Sequence, residues 1–194
     1  VSQPGLERIL VFELEHLNEL GDICRKKLIV EIMGKHSNII FCTEDGRIID
    51  SIKHVSAQMS SVREVLPGRE YFIPDTMHKA DPLNVSAEEF AALITEKPMP
   101  LAKALYTSFT GISPVTAEEI CSLAGADSSV PAKEYSADIL LHLYTQFGIY
   151  LSAVKEGRFS PAIYYDGQEP KEFSSLPLTH FSRYARKEFS SVSE

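Results

Sequence analysis

Tryptophan is absent from this chain of 194 residues, and cysteine nearly so. Cys24, Cys42 and Cys121 lie far apart and form no CxxC pair. Their number and spacing argue against a zinc site and a disulfide framework, and fit reduced, mostly buried thiols in a cytoplasmic protein. No run approaches the roughly 18–20 apolar residues that span a bilayer. No basic-then-apolar segment reads as a signal peptide, and Val1, not being an initiator methionine, is read as a cut. The motifs of conventional enzymes are missing too: HExxH, GxSxG, a Walker A loop and GxGxxG. The six histidines, at positions 16, 36, 54, 78, 142 and 180, fall in different expected elements. No catalytic residue, metal site or cofactor is therefore expected.

Positive charge is also short. A net charge of −8 weighs against a polyanionic partner, because phosphate binding needs cations. The deficit is uneven, however. Residues 1–80 hold 10 basic and 12 acidic side chains, residues 81–157 hold 4 and 10, and residues 158–194 hold 5 and 5. Any affinity for RNA is expected in the first part, where Arg25, Lys26 and Lys27 cluster and Lys35, Lys53, Arg63 and Arg69 lie nearby in sequence.

An apolar content of 44% is ordinary for a globular protein, and its pattern changes period along the chain. Residues 8–14, 26–33, 39–43, 48–53 and 70–73 read as an antiparallel meander of about five strands. Residues 74–85 read as a linker. Helical periodicity follows: Ser86 and Glu89 form a capping box before a helix that turns Phe90, Leu93 and Ile94 inward. Further helices are expected at 99–109, from Ser113-Pro114 to Gly125, and at 132–155. Residues 162–165 and 172–176 suggest a final hairpin, and 179–194 a frayed polar tail. The fold class is α+β.

The most informative segment is residues 28–40, LIVEIMGKHSNII. Two apolar runs flank Gly34, Lys35, His36, Ser37 and Asn38, where Asn-Gly would satisfy a plain hairpin. A cation, an imidazole, a hydroxyl and a carboxamide can donate to phosphate, sugar or base, and glycine lets a partner approach the backbone. By residue type alone, the same segment also describes a capped turn with a surface Glu31–Lys35 pair and a structural His36. A second segment, 100–126, has the form of a helix-hairpin-helix around Gly111. Ser113 stands where DNA-binding versions have a second glycine, and no Lys or Arg lies between Lys103 and Lys133. With Glu118 and Glu119 expected in the first turn of the second helix, the residues favour a scaffold over a phosphate site.

Residues 31–38, EIMGKHSN, resemble the signature of the NFACT family, once called fibronectin-binding protein A. The resemblance continues through 48–56 (IIDSIKHVS), 63–68 (REVLPG), Tyr71, Pro74, 109–120 (FTGISPVTAEEI) and 191–194. It covers nearly the whole chain. Glu7-Arg8 matches the family's Asp-Arg pair, with Glu7 where Asp is usual. The resemblance implies the later part of an N-terminal β-rich domain (1–80) that is similar to part of the formamidopyrimidine-DNA glycosylase fold, but without that enzyme's N-terminal catalytic residues. A helix-hairpin-helix-like domain (81–180) and a tail leading towards a coiled coil (181–194) would follow. It further implies a factor that binds the large ribosomal subunit carrying stalled peptidyl-tRNA. Such a factor recruits tRNA to extend the nascent chain without mRNA, the ribosome supplying the peptide-bond chemistry. The RNA-contacting residues expected on this basis are Glu7, Arg8, Glu31, Gly34, Lys35, His36 and Asn38, joined on the ground of charge by Lys26 and Lys27, with no specific DNA and no membrane among the partners. The alternative is an adhesin-like module that binds fibronectin or fibrinogen at the cell surface.

Overall fold

The computed structural model describes residues 1–73 and 78–194. It divides into two compact units, Val1–Lys79 and Ala80–Glu194. Residues 74–77, within the expected linker, lie outside the described residues.

The first unit is a four-stranded antiparallel meander: β1 (Ile9–Leu17), β2 (Ile23–Glu31), β3 (Asn38–Thr43) and β4 (Ile48–Ser51), paired in that order. The expected fifth strand at 70–73 is only a bridge between Arg47 and Glu70. The register places Ile9 opposite Glu31 and Glu31 opposite Asn38. Side chains alternate across a pleated sheet, so Ile9, Ile29, Ile40, Cys42 and Ile48 share one face. They form the core there with Val65. The near-continuous apolar runs of β2 and β3 leave the other face apolar as well. It carries half-buried Leu28, Val30 and Phe41, and exposed Leu14 and Ile39. Arg63 and Tyr71 come from the irregular segment after β4, whose Val55, Val65 and Tyr71 pack on the core face.

The second unit holds α1 (Ala87–Thr95), α2 (Leu101–Ser108), α3 (Pro114–Leu123) and α4 (Ala137–Lys155). The Ser86–Glu89 capping box forms with both reciprocal hydrogen bonds. Phe90 and Phe109 stack at 5.4 Å, and Phe147 packs at 4.9 and 5.0 Å from them. These rings lock α1, the α2–α3 hairpin and α4 together. Residues 132–134 form a separate 3-10 turn, so α4 starts later than expected. The final hairpin, β5 (Ala162–Asp166) and β6 (Glu169–Ser174), gains a third strand from the stretch expected to fray. This strand, β7 (Ala185–Glu188), pairs with β5.

Candidate nucleic-acid interface

Four backbone ends meet at one edge of the first unit. β2 stops at Glu31, Gly34–His36 form a single 3-10 turn, and β3 starts at Asn38. Gly34 adopts φ +58, a left-handed conformation that glycine takes without steric cost. The turn closes on itself: His36 N–H donates to Met33 O, Ser37 N–H to Gly34 O, and Met33 N–H to Ser37 Oγ. Arg8, just before β1, accepts from Ile32 N–H through its carbonyl. It therefore stands at the same end of the sheet as the turn. Glu7 lies beside it, half-buried. Lys53, just after β4, donates from Nζ to Lys35 O at 3.2 Å.

Two of the expected contact residues prove to be part of the framework instead. Asn38 is only 7% exposed. Its carboxamide grips the backbone of Lys53, donating to Lys53 O and accepting from Lys53 N–H, both at 2.9 Å. Its Oδ1 also accepts from Ile39 N–H. Both lone pairs of Oδ1 and one of the two N–H donors are thus committed to the backbone. Glu31 is 1% exposed and pairs with Arg63, not with Lys35. Arg63 Nη2 reaches its two oxygens at 2.7 and 2.6 Å, and Tyr71 OH donates at 2.9 Å. Arg63 Nη1 caps Phe72 O. Burial, followed by the Glu31 charge, raises the Tyr71 pKa. Both ends of the turn are thus held by buried polar groups, while Gly34, Lys35 and His36 remain exposed.

Lys26 and Lys27 do not join this group. They precede Glu31 by four and five residues, about 13–17 Å along a strand rising ~3.3 Å per residue. The pleat sends them to opposite faces. Both border a cleft shared with Arg25, Glu13, Glu15 and Glu44, where three carboxylates balance the three cations. Arg25 is already engaged by Glu15 and Glu44.

Lys53, Arg63 and Tyr71 are the residues that sequence reasoning missed in this role. Their signals were membership of the 48–56 and 63–68 motifs and Tyr71 itself, and, for Lys53 and Arg63, a place among the cations of the first part. Among the described cations of the first unit, Arg25, His54, Arg63 and Arg69 sit in ion pairs with carboxylates. Arg8, Lys35 and Lys53 do not.

The hairpin of the second unit offers a contrast. Gly111 has φ +77, Ser113 caps α3 by accepting from Thr116 N–H, and no cation lies nearby in sequence. Glu118 and Glu119 occupy the second turn of α3, not the first, so they do not sit on its positive end. Glu119 is 1% exposed. It accepts from Thr179 Oγ1 at 2.7 Å and from His180 N–H at 3.1 Å, and lies 2.5 Å from His180 Nδ1. Burial pushes its pKa up, but the bonds from His180 and Thr179 outweigh this and hold it below the ordinary value. No described helix is long and apolar enough to cross a membrane, and no metal-binding cluster occurs among the described residues.

The two units, an antiparallel sheet unit that presents an exposed basic turn and a helical unit with a small sheet, make up an α+β protein. The family of NFACT N-terminal and middle domains matches residues 1–194, and the chain belongs to that family. It is 38% identical to the Rqc2 homolog RqcH of Bacillus subtilis over 196 residues, covering all of this chain and 32% of that protein. It is 42% identical to RqcH of Streptococcus suis over 124 residues, covering 63% of this chain and 22% of that protein. Among solved structures, it resembles the fibrinogen binding protein of Staphylococcus aureus, with TM-score 0.78, 26% identity, and coverage of 98% of this chain and 65% of that one. The N-terminal part of the Streptococcus suis fibronectin/fibrinogen-binding protein gives TM-score 0.72 and 28% identity, covering 99% of this chain and 62% of that one. The chain therefore spans about a third of the length of the Bacillus relative.

Proposed function

We propose that this chain is the tRNA-handling portion of a larger ribosome-associated quality-control factor. In this reading, the whole protein binds the large ribosomal subunit obstructed by peptidyl-tRNA in the cytoplasm. It recruits tRNA for mRNA-independent tailing of the stalled chain. The chain itself is not an enzyme, because peptide-bond formation belongs to the ribosome. It needs no cofactor.

The observation that carries the reading is the turn at Gly34–His36. Its ends are fixed by Glu31 and Asn38, and it is exposed beside Arg8 with no carboxylate paired to Lys35. Lys35 supplies charge to a phosphate, His36 stacks or donates, and Gly34 leaves the backbone open to approach. Family membership supports the same direction. The test is residue-mapped crosslinking of the full-length protein to RNA, with crosslinks expected at 34–36 and Arg8. Crosslinks confined to 109–113 would move the interface to the helical unit. The names of the two solved neighbours favour the other reading, a module for fibrinogen or fibronectin. It gains if the full-length protein binds those proteins with useful affinity and fails to crosslink to RNA.

A further inference from the structure

We infer that Lys53 is a direct phosphate contact of the same interface, an inference that rests on the tRNA-handling reading. Its position is fixed to a degree unusual for a surface lysine. Asn38, itself buried, holds both its N–H and its carbonyl at 2.9 Å. Ser51 Oγ donates a further bond to that carbonyl at 3.0 Å. Its ammonium, on an exposed side chain, rests 3.2 Å from Lys35 O. An ammonium has three donors. One meets Lys35, and two remain for an incoming anion. The nearest charges in sequence do not compete, because Asp50 and His54 are paired with each other at 2.7 Å.

The bond to Lys35 O places the ammonium against the turn, so the charge is presented where Lys35 and His36 are. Arg8, the turn and Lys53 occupy successive strand ends across the sheet. At ~4.8 Å per strand, the row is about 14 Å wide, broad enough to follow several phosphates of one strand. Arg63, the nearby guanidinium, is already engaged, since Nη2 is bound to Glu31 and Nη1 to Phe72 O.

The experiment measures tRNA affinity of the full-length protein against salt for the wild type, Lys53→Met and Lys53→Arg. Each phosphate contact contributes about 0.7–0.9 to the slope of log affinity against log salt. Lys53→Met is expected to lower the slope by about that amount, and Lys53→Arg to restore it. Weaker binding by Lys53→Met with an unchanged slope would mean that Lys53 only props the turn, and would overturn the contact. Unchanged affinity and slope would overturn it too, while leaving the tRNA reading intact. A wild type with no salt-dependent tRNA affinity would overturn both.

Discussion

Glu31 and Glu119 are buried to the same extent, each 1% exposed, and each is the acidic centre of its unit. Their partners differ. Glu31 faces an arginine, which stays charged at every working pH, and a tyrosine from the segment after β4. Glu119 faces a histidine and a threonine near the C-terminus. The first arrangement uses up a cation to fix the root of a turn, and leaves Arg8, Lys35 and Lys53 unneutralised at the same edge. The second ties the segment at 179–180 to α3 in a region with no cation near its hairpin. One physical device, a buried carboxylate with its bonds satisfied, thus orders a candidate contact surface in one unit and a scaffold in the other.

The sharpest way to break the comparison is to remove one partner from each carboxylate. Arg63→Met strands the Glu31 charge, and losing one member of a buried pair typically costs about 3–5 kcal/mol. We expect the first unit to lose its cooperative melt or to melt far lower, as read by calorimetry. His180→Ala leaves Glu119 its bonds from Thr179 and the His180 main chain, and the expected cost is about 1–3 kcal/mol. Equal losses from the two variants would show that arginine and histidine do the same job here. Asn38→Ala belongs with the smaller of these losses. It leaves Lys53 N–H and Ile39 N–H without the Asn38 oxygen, and Lys53 O with its bond from Ser51 Oγ alone. A loss of roughly 2 kcal/mol by chemical denaturation is expected. A change below about 0.5 kcal/mol would mean that Asn38 does not clamp the turn.

These differences explain what could be read from the residues alone. The strand meander and the Ser86 and Ser113 caps follow from local rules, because each signal sits within a few residues of its effect. The carboxylate networks do not. Glu31 meets Arg63 and Tyr71 across 32 and 40 positions, and Glu119 meets His180 across 61. The motif around the turn marks residues 31–38 as one piece. It gave no way to separate the residues that hold the turn, Glu31 and Asn38, from those the turn displays, Gly34, Lys35 and His36. That division is a matter of burial, decided by segments far along the chain. The distance of Lys26 and Lys27 from the turn was hidden for a related reason. Adjacent charges look like a cluster in sequence, but a pleated strand splits them between faces. The strand at 185–188 was hidden by its composition, since all four of its residues are exposed.

Acid should distinguish the two units more gently. The folded Glu119 carboxyl titrates below its ordinary value of 4.5. A depressed carboxylate contributes stability that is full above the unfolded value and is lost as pH falls through the folded one. Between pH 6 and pH 3, the second unit should therefore lose stability in the wild type. Glu119→Gln should start lower and change less over the same range. If both proteins melt with the same pH dependence, the Glu119 contacts are not what the acid removes.

The smallest expected effect on stability is at His36, and it is the one that separates display from framework. The imidazole is exposed at the tip of the turn, and the bond that closes the turn comes from its backbone N–H to Met33 O, which alanine keeps. His36→Ala should therefore change unfolding free energy by no more than about 0.5 kcal/mol, as for surface substitutions in general. A stacked base, however, is worth about 1–3 kcal/mol by alanine substitution. The same variant in the full-length protein should weaken tRNA binding by roughly five- to a hundredfold, with the salt slope unchanged at a pH where the imidazole is neutral. Stacking involves no counterion release, so Lys35→Met should do the reverse, lowering the slope as well as the affinity. If His36→Ala binds tRNA normally, the turn offers charge alone. If it destabilises the first unit as much as Asn38→Ala does, the imidazole belongs with Glu31 and Asn38 in the framework, and the exposed surface of the turn reduces to Gly34 and Lys35.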